Sequence, residues 1–169
     1  MSVANLNRVR TKKIISLFPG IHLRKLQRVM NTSFNTTRYH VYNLEKSGEI
    51  VCTTEGGHTR LYPIGYDTKC RALQAAVLNK TSRTILSVLL KSGPLGNGEL
   101  AELTRLPKST VSEHVESLRK ANVLRRNVSV DGSLSYDVQG REDVEQVLAT
   151  FQASLLSSTA ERFIDLWDL

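Results

Sequence analysis

The chain has 169 residues, 40% of them hydrophobic and 23% charged, with a formal net charge of +7, which fits a globular protein of one domain or two small ones. No apolar run approaches the roughly 18 residues of a membrane span, the start MSVANLNRVRTKK offers no signal-peptide core, and Cys52 and Cys70 alone cannot build a disulfide framework. A reduced, cytoplasmic setting, with no membrane partner and no cofactor, is the expectation.

From the N-terminus, Lys12 to Phe18 reads as a short helix closed by Pro19-Gly20, a strong breaker pair. Leu23, Leu26 and Val29 recur at helical spacing on a second helix. Asn31-Thr32-Ser33 is a polar turn. A third helix follows, capped by Asn35 or Thr36, with Val41 and Leu44 inward and Gly48 at its end. Glu49 to Thr54 and Thr59 to Pro63, separated by Gly56-Gly57, read as a β-hairpin. Tyr66 to Asn79 reads as a linking helix, too poor in Gly and Ser for a flexible tether. Helices are then expected over Thr84 to Lys91, Glu99 to Thr104 and Ser109 to Ala121, with Gly93-Pro94 as a break after the first. A second hairpin runs from Val123 to Val130, turns at Asp131-Gly132 and returns through Leu134 to Val138. The tail from Arg141 opens with Glu142-Asp143, suited to a helix N-terminus, and carries an apolar stripe of Val144, Val147, Leu148, Phe151 and Leu155, continued by Phe163, Ile164, Leu166 and Trp167.

The two halves repeat. An offset of 74 places Leu26 on Leu100, Val29 on Leu103, His40 on His114, Val41 on Val115, Leu44 on Leu118, Ile50 on Leu124 and Tyr62 on Tyr136 without a gap. Helix, helix, turn, helix, hairpin, twice over, is the plan of the winged helix-turn-helix. The expected fold is therefore mostly α with small β-wings (α+β). It comprises two such domains in tandem, at 1–65 and 81–140, a linking helix at 66–80 and a C-terminal helix at 141–169.

Charge separates the halves. Residues 1–66 hold ten basic side chains against three acidic ones, an excess of seven, and the other 13 basic and 13 acidic groups cancel. Such a concentrated positive field suits a polyanion, because each neutralised phosphate releases counterions. A merely solubilising surface would account for charge alone.

The stretch Pro19-Gly20-Ile21-His22-Leu23-Arg24-Lys25-Leu26, followed by Thr37-Arg38-Tyr39-His40-Val41-Tyr42-Asn43-Leu44-Glu45-Lys46-Ser47-Gly48-Glu49-Ile50, resembles the tandem winged-helix regulators of archaea. The second unit is similar to the broader MarR/ArsR-like group through Gly98-Glu99-Leu100-Ala101-Glu102-Leu103 and Ser109-Thr110-Val111-Ser112-Glu113-His114-Val115. Together the two stretches cover roughly residues 11–138. The resemblance implies a transcriptional regulator that binds double-stranded DNA and dimerises through its terminal helices. Glu113 and Glu116 depart from the pattern, because Arg or Lys often stands near the former position in such helices.

In a helix-turn-helix the third helix enters the major groove, leading with its N-terminal residues. In the first unit these are Asn35, Thr36, Thr37, Arg38, Tyr39 and Tyr42. Asn suits the N6 and N7 edge of adenine, and Arg the O6 and N7 edge of guanine. Tyr39 and Tyr42 either reach DNA or pack on the second helix. In the second unit the matching candidates are Lys108, Ser109, Thr110 and Ser112. His58 and Arg60 lie on the first wing, where Arg60 suits backbone or minor-groove contact, and Arg125 and Arg126 lie at the base of the second, where DNA contact and an ordinary solvated strand end are equal alternatives. His40 and His114 read as residues that pack and bond at the helix or touch a phosphate, and the cysteines and histidines follow no zinc spacing. No nucleotide loop, nucleophile elbow or catalytic carboxylate pair appears, so no enzyme activity is expected. Sequence-specific DNA binding is the leading reading. A tandem winged-helix protein scaffold and a weakly specific chromatin protein are the alternatives.

Overall fold

The computed structural model describes residues 3–55, 57–67 and 70–156. Among these, the order is α1 (Val3–Leu17), β1 (Ile21–His22), α2 (Leu23–Met30), α3 (Phe34–Lys46), β2 (Ile50–Glu55), β3 (His58–Pro63), α4 (Arg71–Leu78), α5 (Lys80–Ser92), α6 (Asn97–Thr104), α7 (Lys108–Lys120), β4 (Leu124–Val128), β5 (Leu134–Val138) and α8 (Arg141–Leu156). The chain divides into two compact units, at Arg71–Ala72 and again at Thr150–Phe151. The outer segments form the first unit and Ala72–Thr150 the second.

In the first unit, α1 starts at Val3 instead of Lys12. Its leading turns lack an apolar stripe and are held by polar contacts. Arg8 and Lys12 reach Glu49 at 2.5 and 2.6 Å, and the fully buried Thr11 donates its hydroxyl to the Asn7 carbonyl. The C-terminal part of α1 supplies core through Ile14 and Ile15, with Phe18 just past its end, and Leu26, Val29, Met30, Val41 and Leu44 are buried as well. Ser33, not Asn35 or Thr36, caps α3. Its backbone is extended, and its hydroxyl oxygen accepts the Thr36 N–H at 3.0 Å, so Asn35 and Thr36 already lie in the first helical turn. Replacing Ser33 by Ala is expected to cost about 1 kcal/mol of stability, read from the shift in urea midpoint at unchanged slope. No shift would show that the cap contributes nothing.

The hairpin β2–β3 pairs Val51 with Tyr62 and Glu55 with His58, and β1 adds a third antiparallel strand through Ile21↔Leu61 and His22↔Arg60. A two-residue strand carries no periodic signal, so β1 has no trace in the hydropathy pattern. Its entry explains Gly20. The Gly20 N–H donates to the Leu61 carbonyl at 2.7 Å, its φ is +83°, and a Cβ there would lie 3.1 Å from the Tyr62 ring.

The helix expected from Tyr66 begins only at Arg71, the last residue of the first unit's leading segment, and stops at Leu78. Asn79 then caps a new helix by accepting the Ser82 N–H at 3.0 Å. Ile85, Leu86, Leu89, Leu100, Val111, Val115 and Leu118 form the core of the second unit. The hairpin β4–β5 pairs Arg126 with Tyr136. Its strand ends at Val128, because the Ser129 N–H bonds the Ser133 carbonyl and closes a loop over 129–133 in place of a two-residue Asp-Gly turn.

The offset of 74 extends to the backbone. The spans of α2 and α6 correspond residue for residue, as do those of α3 and α7. Asn31 and Arg105 (φ 51° and 56°) and Gly48 and Asn122 (φ 69° and 55°) are left-handed at matched positions, closing matched helices where L residues rarely go. The match is not complete. Val29 is 3% exposed whereas Leu103 is 56% exposed, and the second hairpin is shifted by one residue in register.

The apolar stripe of the C-terminal helix is largely covered by its own chain. On α8, Val144, Leu148 and Phe151 are buried within the single chain, and Phe151 meets Phe18 edge to face at 6.1 Å in the first unit. Phe163, Ile164, Leu166 and Trp167 lie outside the described residues. No described helix is long and apolar enough to cross a membrane.

Candidate nucleic-acid interface

Helix α3 packs on α1 and α2, and its core stripe is Thr37, Val41 and Leu44, with His40 beside it. The opposite face carries Asn35, Arg38, Tyr39 and Tyr42, all exposed. Tyr39 and Tyr42 are 60% and 61% exposed, so neither is packed away on α2. The Arg38 guanidinium lies 6.0 Å from the Phe34 ring centroid, one helical turn back. That places a planar donor fork over a flat ring, at the limit of cation–π attraction. Thr36 is half-buried, and its hydroxyl is 2.8 Å from that of Ser33.

Thr37 belongs to the core instead of the reading face. It is 1% exposed, donates its hydroxyl to the Ser33 carbonyl at 3.1 Å and lies 2.9 Å from the Thr32 hydroxyl. Its spacing to Val41 and Leu44 (i, i+4, i+7) already marks the inner stripe.

The wing residues differ from each other. His58 is exposed, and its ring meets His22 edge to face at 5.0 Å. Arg60 is half-buried and donates from Nη1 to the Gly20 carbonyl at 3.0 Å, an anchor to the chain's own backbone that only the β1–β3 pairing makes possible. In the second unit, Lys108, Ser109 and Ser112 are exposed at the start of α7 and Thr110 is half-buried. Ser112 accepts from Asn97 Nδ2 at 3.3 Å. Arg125 forms a cross-strand ion pair with Asp137 at 2.6 Å, while Arg126 is exposed. Further along α7, Glu116 pairs with Arg119 at 2.8 Å, so Arg119, like Arg125, is held against an acid of its own unit.

The matched histidines have structural environments. His40 is 4% exposed, and burial, then the charge of Arg8, holds its imidazole below its ordinary pKa. His114 Nδ1 lies 3.0 Å from the Ser82 hydroxyl.

Two of the first unit's cations are spent on structure. Lys12, Arg8 and Ser47 all bond the Glu49 carboxylate and pull its pKa down to about 2. The stability that Glu49 contributes is therefore complete above its ordinary value near 4.5 and disappears as pH falls from there toward 2. Glu49→Gln is expected to lower stability at pH 7 and to flatten the acid limb of a melting-temperature profile between those values. An unchanged acid limb in the variant would contradict this role.

Three basic residues escaped the sequence reading as site residues. Arg24, Lys25 and Arg28 of α2 line a cleft with Phe34 and the hairpin turn at Gly57–Thr59. Their i, i+1, i+4 spacing on one short helix was the available signal.

Residues 78–125 match the winged helix-turn-helix DNA-binding family. An uncharacterised HTH-type transcriptional regulator of Methanocaldococcus jannaschii is 29% identical over 107 residues, which is 63% of this chain. The chain spans only 27% of that relative's length. A crystal structure of a MarR-family transcriptional regulator from Silicibacter pomeroyi aligns with a TM-score of 0.41 and 18% identity, over 59% of this chain and 75% of that one. Over residues 78–125, from the end of α4 into β4, the chain is thus similar to winged helix-turn-helix DNA-binding domains.

Proposed function

We propose that this protein is a sequence-specific, double-stranded-DNA-binding transcriptional regulator with two winged helix-turn-helix modules in tandem, and that α3 of the first unit makes the principal base contacts. The observation that carries this is the outer face of α3. Asn35, Arg38, Tyr39 and Tyr42 stand exposed together on the half of the chain that holds the entire positive excess. Amide, guanidinium and phenol groups supply the donors and acceptors that major-groove edges require, and the surrounding cations supply phosphate attraction. Similarity of residues 78–125 to the DNA-binding family supports the same class for the second unit.

A protein-contact role is the second reading for that unit alone. Glu113 is exposed beside the internally paired Glu116 on α7, and such a surface offers phosphates little. Selection from a random-sequence duplex pool with the purified full chain tests the proposal. Enrichment of a defined motif is expected, and a pool that binds without enriching any sequence would rule out sequence specificity.

A further inference from the structure

We propose that the cleft bounded by α2, the start of α3 and the turn of the first hairpin is a receptor for a small organic phosphate, a phosphomonoester with a flat apolar body. The proposal deepens the regulatory reading of the first unit and rests on it for its biological meaning, though the binding itself does not. The cleft holds about 590 Å³, within the range of small-molecule sites and much more than a bare phosphate fills.

Its chemistry has two parts. Arg24, Lys25 and Arg28 bring three cations from one eight-residue helix that carries no acid. Arg24 and Arg28 are one turn apart, where like charges repel. Arg24 also stands in the first turn, where the helix dipole opposes positive charge. The residue before that turn, His22, gives no side-chain cap to the helix N–H groups. A dianion in the cleft relieves all three conflicts at once, and two guanidinium groups suit phosphate oxygens geometrically.

The apolar part is Leu23 and Phe34. Phe34 is 40% exposed, which leaves part of its ring open to the cleft beside the Arg38 guanidinium. The imidazoles of His22 and His58, edge to face at 5.0 Å, complete the lining from the strand and hairpin side. A surface that only follows a DNA backbone needs the cations. It needs neither the concavity nor the apolar floor.

Isothermal titration calorimetry of the full chain, without DNA, against AMP, adenosine and inorganic phosphate is the test. AMP is expected to bind, and adenosine and phosphate each to bind at least about tenfold more weakly. Arg24→Ala/Arg28→Ala should reduce AMP affinity by at least about tenfold, with Arg24→Lys/Arg28→Lys recovering part of it. In parallel, AMP should shift the NMR resonances of the Phe34 ring and of the His22 and His58 imidazoles in the unmodified chain. Absence of AMP binding, or shifts confined to other residues, would overturn the proposal. Loss of duplex-DNA affinity in the alanine variant with no AMP binding to the unmodified chain would also overturn it, assigning the cations to the DNA backbone and leaving the regulatory reading intact. AMP binding by a chain that fails to bind any duplex would sustain the receptor and defeat the regulatory reading.

Discussion

Leu44→Ala is expected to destabilise the protein by about 2–5 kcal/mol, the range for emptying a close-packed core position. Leu44 is fully buried on α3, the helix that packs on both α1 and α2. Its carbonyl also accepts the Glu49 N–H at 2.9 Å, which ties the end of α3 to the approach of β2. Removing its branched end leaves a void in an interior packed too densely to close over it at no cost. The matched Leu118 on α7 is 2% exposed, and Leu118→Ala should fall in the same range. Urea unfolding measures both. A loss under about 1 kcal/mol at Leu44 would mean that the site collapses around the smaller side chain and that α3 is less firmly seated than its burial implies.

Arg38→Ala should cost about 1–3 kcal/mol of binding on the cognate duplex and relax preference at one base position. Arg38 is exposed near the leading end of α3, and its fork lies back over Phe34 instead of being tied to a carboxylate. A bidentate contact to guanine explains a loss confined to the cognate sequence. A phosphate clamp would lower affinity for cognate and scrambled duplexes by the same factor and reduce the salt slope by roughly one. Anisotropy titrations of both duplexes at several salt concentrations separate these outcomes, and an equal loss would remove Arg38 from base reading.

What could be read beforehand followed from periodicity and repetition. Helices α3 and α7 were legible because Val41 and Leu44, and Val115 and Leu118, recur at the same offset that aligns the buried Leu26 with Leu100. The first half of α1 was not, since charge pairing to Glu49, a residue distant in sequence, holds it in place of an apolar stripe. The α3 cap was misplaced because Asn35, Thr36 and Ser33 are all competent capping residues and only backbone conformation selects Ser33. Arg60 looked like a free wing cation until the pairing of β1 brought the Gly20 carbonyl to it. The cleft was invisible in one dimension, because His58 and Arg24 come together only through the sheet. Val144 and Leu148 showed an apolar stripe correctly, but a stripe does not say whether its own chain or another covers it.

The most direct measurement compares two variants of the full chain on the duplex enriched from the random pool. One is Arg38→Ala/Tyr42→Ala on α3, and the other is Lys108→Ala/Ser112→Ala on α7, with all four residues exposed and both variants checked for unchanged melting. At fixed salt, the α3 variant should lose at least about tenfold in affinity, equivalent to 1.4 kcal/mol, while the α7 variant loses distinctly less. Equal losses, or a larger loss from α7, would contradict the assignment of the principal DNA contact to the first unit.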